Sequence, residues 1–287
     1  MTTQITILIL FSAVIHSIWN LQLKKSSNPI AYIIAIAIAG WIIFTPYALF
    51  KLFTSSVNLE TWIFTFCSFL IHFLYFSFLG RAYSKFELSL IYPIARGLSV
   101  FLIPIYGYAI LNESMTIGAV IGCIFIISGI LATGSVTLQD LIVKEKRKAL
   151  LRGGFVSAIV IGFIISLYSL ADKNAASGID PVLFVWVTDT SAVILGIYYF
   201  KKNNAVGKYL KEENIKLILP GVFQFGSYAI VIYAYASTML SYAGTFREIG
   251  TVFGAILAKI FLKENFGLRK TAGIITIVVG ALLISVF

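Results

Sequence analysis

The sequence predicts an all-α membrane protein of ten transmembrane helices, arranged as two inverted five-helix repeats. Three observations carry that prediction. The chain of 287 residues is 59% hydrophobic and only 12% charged, with a mean hydropathy of +0.95. A soluble domain carries about 25% charged residues, so the solvent around this chain is lipid. Apolar runs of about 20 residues, the length that crosses a hydrocarbon core, recur from end to end. Finally, two stretches repeat at an offset of 151: Arg96 falls on Arg247, Leu111 on Leu262, Glu113 on Glu264, Gly122 on Gly273, Gly129 on Gly280 and Leu131 on Leu282. Apolar composition alone does not align charges and glycines, so the chain is two copies of one unit.

The predicted spans are 4–22, 29–52, 61–83, 87–111, 115–134, 153–174, 181–200, 215–237, 240–262 and 267–286. The first begins at Ile5 with no basic residue before it. It runs into His16-Ser17-Ile18-Trp19-Asn20 rather than a small-residue cleavage site, so it reads as a spanning helix and not a leader. The turns between spans 3 and 4 and between spans 8 and 9 are short, which makes those pairs antiparallel neighbours. The repeats cover 1–134 and 153–287, and 135–152 joins them. In that joint Leu138, Leu141, Ile142, Leu150 and Leu151 alternate with Lys144, Lys146, Arg147 and Lys148. It is either an amphipathic segment on the cytoplasmic leaflet or a solvated basic linker. Five spans is an odd number, so the second repeat enters the membrane upside down, about a pseudo-two-fold axis in the membrane plane.

Charge sets the orientation. Loops after odd-numbered spans hold seventeen Lys and Arg residues, those after even-numbered spans only Lys51 and Lys173, and the tails none. The positive-inside rule puts the odd loops in the cytoplasm and both termini outside, with the inner membrane of a bacterium the expected location. The net charge of +10 then speaks for anionic lipid and against nucleic acid as a partner. Cys67 and Cys123 both fall inside apolar runs, and His16 and His72 are the two histidines, so neither a disulfide, a metal site nor a cofactor is expected.

The motifs resemble a known family. Arg81-Ala82-Tyr83, then Glu87 through Gly97 (ELSLIYPIARG), Leu111-Asn112-Glu113, Gly122 and Gly129 resemble the EamA domain of the drug/metabolite transporter superfamily. Ala234-Tyr235-Ala236, Thr245-Phe246-Arg247-Glu248, Leu262-Lys263-Glu264, Gly273 and Gly280 resemble it again, and His16 to Asn20 with Lys24 is similar to a feature of its first helix. The resemblance implies a ten-helix secondary transporter or exporter with a central cavity. Its members handle amino acids, drugs, sugar-linked nucleotides and other small metabolites. They commonly place their termini inside, the opposite of what the charge bias predicts here.

A charge deep in a bilayer costs at least about 2.5–3.5 kcal/mol, so such residues pair, face water or work. Arg96 in span 4 and Arg247 in span 9 occupy equivalent positions, and the pseudo-axis brings them to one central region. Two guanidiniums there suit a carboxylate or phosphate. Glu248, or Asp189 in span 7, offers the alternative of a structural ion pair; adjacent residues diverge on a helix, so Glu248 would pair with another helix rather than with Arg247. Asp189, Glu248 and His16 are also candidates for ion coupling. Pro93, Gly97 and Pro104 in span 4 answer Gly244, Gly250 and Gly254 in span 9, and interrupted helices in matching positions mark a binding site.

His16, Trp19, Asn20 and Lys24 share one face of span 1, and Tyr168, Asp172 and Lys173 the matching face of span 6. Trp19 and Tyr168 either stack on a substrate or belong to an interfacial belt. Tyr92, Trp186 and Gln224 complete the candidate cavity set. Glu113 and Glu264 are expected to cap the helix that follows each of them, and Gly118, Gly122, Gly129, Gly273 and Gly280 to pack helices closely. The leading reading is a secondary transporter of small polar metabolites, amino acids or organic anions above others, working by alternating access. An organic cation or drug-like amine as substrate, or a non-transporting scaffold or sensor, remain alternatives. An intramembrane enzyme would need a nucleophile–base pair or metal set, and no HExxH or GxSxG motif is present. The partners expected are a small molecule and the bilayer; the oligomeric state is open.

Overall fold

The computed structural model describes residues 1–83, 85–86, 88–133, 154–212, 214–263 and 267–287. The joint at 135–152 and Glu264 lie outside the described residues. Within them the chain is helical throughout, without strands.

Five helices form the first half: α1 (Thr3–Lys25), α2 (Pro29–Thr54), α3 (Leu59–Tyr83), α4 (Leu88–Ala109) and α5 (Ile117–Thr133). The second half holds α6 (Val156–Ala176), α7 (Pro181–Asn203), α8 (Ala205–Glu212), α9 (Ile218–Ser237), α10 (Leu240–Phe246), α11 (Gly250–Phe261) and α12 (Leu268–Val286). Single turns of 3-10 helix precede α9 (Asn214–Leu217) and separate α10 from α11 (Arg247–Ile249). Seven segments are long and apolar enough to cross a membrane: α1, α2, α3, α6, α7, α12 and Ile215–Ser237. The helices α4, α5 and the broken pair α10–α11 occupy the three remaining expected ranges. The eight-residue α8 was not expected; it follows the apolar part of α7.

Local chemistry starts these helices. Asn28 Oδ1 accepts from the Ala31 amide at 3.2 Å ahead of Pro29, and Asp180 Oδ1 accepts from the Val182 amide at 2.9 Å ahead of Pro181. An Asx cap followed by proline at the first helical position thus opens both α2 and α7. Asn58 and Thr116 cap α3 and α5 in the same fashion, at 2.8 and 3.1 Å. Asn112 and Lys263, which correspond at the repeat offset, both adopt φ of 54° directly after a helix end. The left-handed turn suits asparagine and is costlier for lysine, so the backbone repeats where the side chain does not.

Polarity is turned outside in. Phe53 is 83% exposed and Leu268 91%, while Ser12, Thr65, Ser68, Ser166, Ser169 and Asp172 are buried. That surface suits lipid and not water. Buried hydroxyls return their hydrogen bonds to helix carbonyls or bridge helices: Ser12 Oγ donates to the Ser227 carbonyl at 2.7 Å, and Ser17 Oγ to the Gly250 carbonyl at 2.9 Å.

The halves interlock. α1 packs on α9 and α11 while α6 packs on α3 and α4; α2 packs on α9 while α7 packs on α3. α2 meets α7, and α5 meets α12. Matching helices by order in each half, every one of these contacts has its counterpart. The α5–α12 seam shows it atom by atom. A Cβ on Gly122 would lie 2.7 Å from the Gly280 carbonyl oxygen and one on Gly280 2.6 Å from that of Gly122. Gly129 and Gly273 stand in the same relation, at 2.6 and 2.8 Å. Only glycine permits that approach, so the seven-residue glycine spacing packs helices within the chain. Gly118 faces Phe287 on the same seam.

Candidate functional site

Where span 9 breaks, the described residues gather their charges. Arg96 of α4 donates from Nε to Glu248 Oε2 at 2.9 Å and from a terminal nitrogen to Glu248 Oε1. This is the two-pronged arginine–carboxylate pair. Arg247 Nε lies 3.8 Å from the same Oε1. One carboxylate therefore touches both of the symmetry-matched guanidiniums. Side-chain exposure is 1% for Glu248, 9% for Arg247 and 16% for Arg96, so the cluster is closed off. The 3-10 turn at Arg247–Ile249 sends neighbouring side chains about 120° apart, which turns Glu248 to α4 while Arg247 lies among tyrosines of α6 and α9. Ser17 holds the next carbonyl, that of Gly250.

The expected matched irregularity is only half present. Pro93 and Pro104 lie inside one continuous α4, whereas the glycine-bearing partner breaks. Proline removes a donor but fixes a helical φ, and packing tolerates it in a membrane helix; the glycines impose no such constraint.

Arg247 has Tyr168 of α6 and Tyr228 and Tyr235 of α9 as electrostatic neighbours. Its Nε is buried without a hydrogen-bond partner. Beside these tyrosines lies Asp172, fully buried. Ser68 Oγ donates to Asp172 Oδ1 at 2.5 Å and the Tyr228 hydroxyl donates to Oδ2. Ser68 Oγ is also 3.1 Å from His72 Nδ1, and the His72 ring stacks on Tyr168 with centroids 4.3 Å apart. Sequence reasoning missed Ser68, His72 and Tyr228 as site residues. The signal existed: Ser68 and His72 are one turn apart in an apolar helix and so share a face.

The other predicted residues divide. Tyr92 neighbours Arg96 and Glu248, and His16 neighbours both arginines. Trp19 packs edge-on against His16 at 4.7 Å with its indole nitrogen buried and unpartnered. Asn20 donates its amide to the His16 carbonyl at 2.9 Å, spending it on its own helix. Tyr168 stacks on His72. Asp189 has Gln224 as its side-chain partner rather than an arginine, and Asp189 Oδ2 and Gln224 Oε1 are both buried without partners. Trp186 stacks on Trp41 at 5.2 Å and donates to Thr45 Oγ1 at 2.9 Å, while Trp41 donates to the Trp186 carbonyl at 3.1 Å. Its indole thus joins α7 to α2 through an interhelical hydrogen bond.

One expectation is corrected. Glu113 does not cap the helix after it. Its carboxylate accepts from the Leu240 amide at 2.6 Å, the Ser241 amide at 2.9 Å and the Ser241 hydroxyl at 2.5 Å. The attraction to free amides at a helix start is the one expected, but the helix is α10 of the other half. Lys173, on the same face of span 6 as Tyr168 and Asp172, donates from Nζ to the carbonyls of Tyr235 at 2.6 Å and Thr238 at 2.8 Å, neutralising the C-terminal end of α9.

A separate cleft of about 880 Å³ opens between α2, α3 and α7, with Ser27, Asn28, Phe73, Ser77, Arg81 and Tyr198 on its walls. It sits at the end of the bundle where the first and third loops emerge.

Comparison with known proteins bears on the whole chain. A solved crystal structure of a protein superposes over 99% of this chain and 99% of its own at a TM-score of 0.74, with 14% sequence identity. That likeness shows that the fold occurs in an experimentally determined protein. No curated protein matches the sequence. Residues 152–286 match the profile of the EamA-like transporter family. Residues 152–286 thus carry an EamA-like transporter domain, the family domain of the drug/metabolite transporter superfamily, within a multi-pass membrane protein.

Proposed function

We propose that the protein is a secondary transporter of a small organic anion or amino acid, working by alternating access between two inverted five-helix repeats, 1–134 and 153–287. The observation that carries the substrate class is the convergence of Arg96 and Arg247 on the single carboxylate of Glu248. Glu248 occupies the place a substrate carboxylate would take. Within the Arg96–Arg247–Glu248 cluster itself, two cations against one anion leave a surplus positive charge, and Arg247 Nε retains an unused donor. Low polarity around the cluster makes that surplus a strong attraction for an anion.

The repeat architecture is supported by the paired helix contacts and by the crossed glycine pairs, Gly122 with Gly280 and Gly129 with Gly273. Contacts of that kind arise when two copies face each other about a two-fold axis. Rocking of one repeat against the other about a central site then exposes that site to each side in turn. Spans 4 and 9, which carry the arginines, line the site together with Tyr92 and His16.

The test is flux. Purified protein in proteoliposomes is screened by thermal shift against carboxylates, amino acids, phosphate esters and amines, because a ligand of the folded state raises its melting point. The stabilising compounds are then assayed for uptake. Carboxylates that stabilise and cross the membrane support the reading; stabilisation by amines alone overturns it, and binding without flux indicates a sensor. The same reading puts both termini outside a bacterial inner membrane. A C-terminal reporter active only in the periplasm agrees with that, and one active only in the cytoplasm contradicts it.

A further inference from the structure

Asp172 is a second buried acid beside the arginines. Among the described residues it makes no salt bridge; Lys173 next to it is turned to carbonyls of α9 and its adjoining turn. The groups that face Asp172 are Ser68 and His72 from α3, Tyr228 and Tyr235 from α9, Tyr168 from α6 itself and Arg247 from the 3-10 turn. From α4, Arg96 is turned to Glu248 and the Tyr92 hydroxyl to Thr251, and from α10 the Tyr242 hydroxyl is turned to the Thr116 amide.

With Asp172 ionised, the two arginines and two carboxylates balance. An arriving anion adds one negative charge, and an unbalanced charge in the low-polarity interior is costly. We propose that Asp172 is the proton-binding site of this transporter, taking up one proton for each monovalent anion that binds at Arg247. The proposal rests on the anion-site reading above.

The hydrogen bonds around Asp172 form a ready route. In the ionised state Ser68 Oγ–H donates to Asp172 Oδ1, and His72 Nδ1–H donates to the Ser68 carbonyl at 2.9 Å. In this relay a hydronium ion from the open side gives its proton to His72 Nε2 and leaves as water. The Nδ1 proton passes to Ser68 Oγ across 3.1 Å, and the hydroxyl proton of Ser68 passes to Asp172 across 2.5 Å. The hydronium O–H, the Nδ1–H and the Ser68 O–H bonds break as Nε2–H, Ser68 O–H and Asp172 O–H bonds form, and the net change is one proton moved from hydronium to Asp172. The acid then donates to Ser68, and Ser68 donates to Nδ1. Reversal returns the proton to water on the side to which the anion leaves.

Two measurements decide it. Benzoate, a carboxylate with a ring for the tyrosine wall, is titrated calorimetrically in buffers of different ionisation enthalpy. Wild type should take up about one proton per benzoate bound, and Asp172→Asn should bind benzoate with none. Infrared pH titration without ligand should show a protonated-carboxyl band that Asp172→Asn lacks. Undiminished uptake in Asp172→Asn, or a band that survives that substitution, overturns the proposal. If Asp172→Asn does not fold, Ser68→Ala keeps the acid and should displace the midpoint of the infrared band; an unmoved midpoint overturns the relay. Wild type that binds no benzoate removes the anion half, and the infrared band alone then decides whether Asp172 holds a proton.

Discussion

The α5–α12 seam and the centre at Arg96, Arg247 and Glu248 are built from the same duplicated sequence and use it differently. At the seam the copies behave alike, with Gly122 against Gly280 and Gly129 against Gly273 at nearly equal approach. At the centre the arginines match, but the acid does not: Glu248 has Gly97 in its place in the first copy. The helix breaks around Glu248 and stays continuous around Gly97. A symmetric seam holds two copies together in one arrangement. At an asymmetric centre, with one carboxylate shared between two guanidiniums, the proposed reading lets an incoming anion compete with Glu248 for them. On the proposed reading, symmetry marks scaffold and its loss marks the substrate site.

The sharpest way to break this comparison is to remove the arginines one at a time. Arg247→Ala leaves the Arg96–Glu248 pair in place, so the protein should stay folded and monodisperse while flux of any transported anion falls by two orders of magnitude or more. Arg96→Ala should abolish flux as well, and it also leaves Glu248 buried against the more distant Arg247. Breaking a buried pair in this way costs about 3–5 kcal/mol. The double variant Arg96→Gln with Glu248→Gln should recover much of that stability and none of the flux. If either arginine variant transports at the wild-type rate, the centre is scaffold like the seam.

The seam offers the next largest effect, on stability alone. Gly122→Ala and Gly273→Ala are equivalent substitutions on opposite helices, each placing a methyl group against a facing carbonyl at 2.7–2.8 Å. Each should lower unfolding stability in detergent by about 1–3 kcal/mol, the usual cost of overpacking. The two losses should agree within about 0.5 kcal/mol if the copies are energetically alike. Unequal losses would show that the symmetry is one of shape and not of energy.

Legibility in the sequence follows the same division. The span limits were readable to within a few residues because bilayer thickness fixes apolar length. Charge in an apolar run singled out Arg96, Arg247 and Glu248, and divergence of neighbours on a helix predicted that Glu248 would pair across helices. What could not be read was tertiary choice. Glu113 was expected at a helix start and is at one, but nothing local says that α10 would be the nearer. Lys173 reads equally as an interfacial residue until α9 is seen to end above it. Ser68 and His72 were legible as a polar face, but His72, unlike His16, entered the sequence reading only as a possible metal ligand.

Trp186 makes the smallest prediction and separates two uses of an aromatic ring. Sequence reasoning placed it in the cavity wall, one turn from Asp189. The structure gives it a stacked partner in Trp41 and a donor bond to Thr45, both across the α2–α7 contact. Trp186→Phe retains an aromatic ring and loses the indole donor, so it should cost about 0.5–1.5 kcal/mol, the net worth of one hydrogen bond. Affinity for any ligand of the arginine centre should be unchanged, read as the same concentration dependence in thermal shift. A stability loss without an affinity change assigns Trp186 to the scaffold; the reverse pattern would return it to the binding site and extend the asymmetric centre as far as α7.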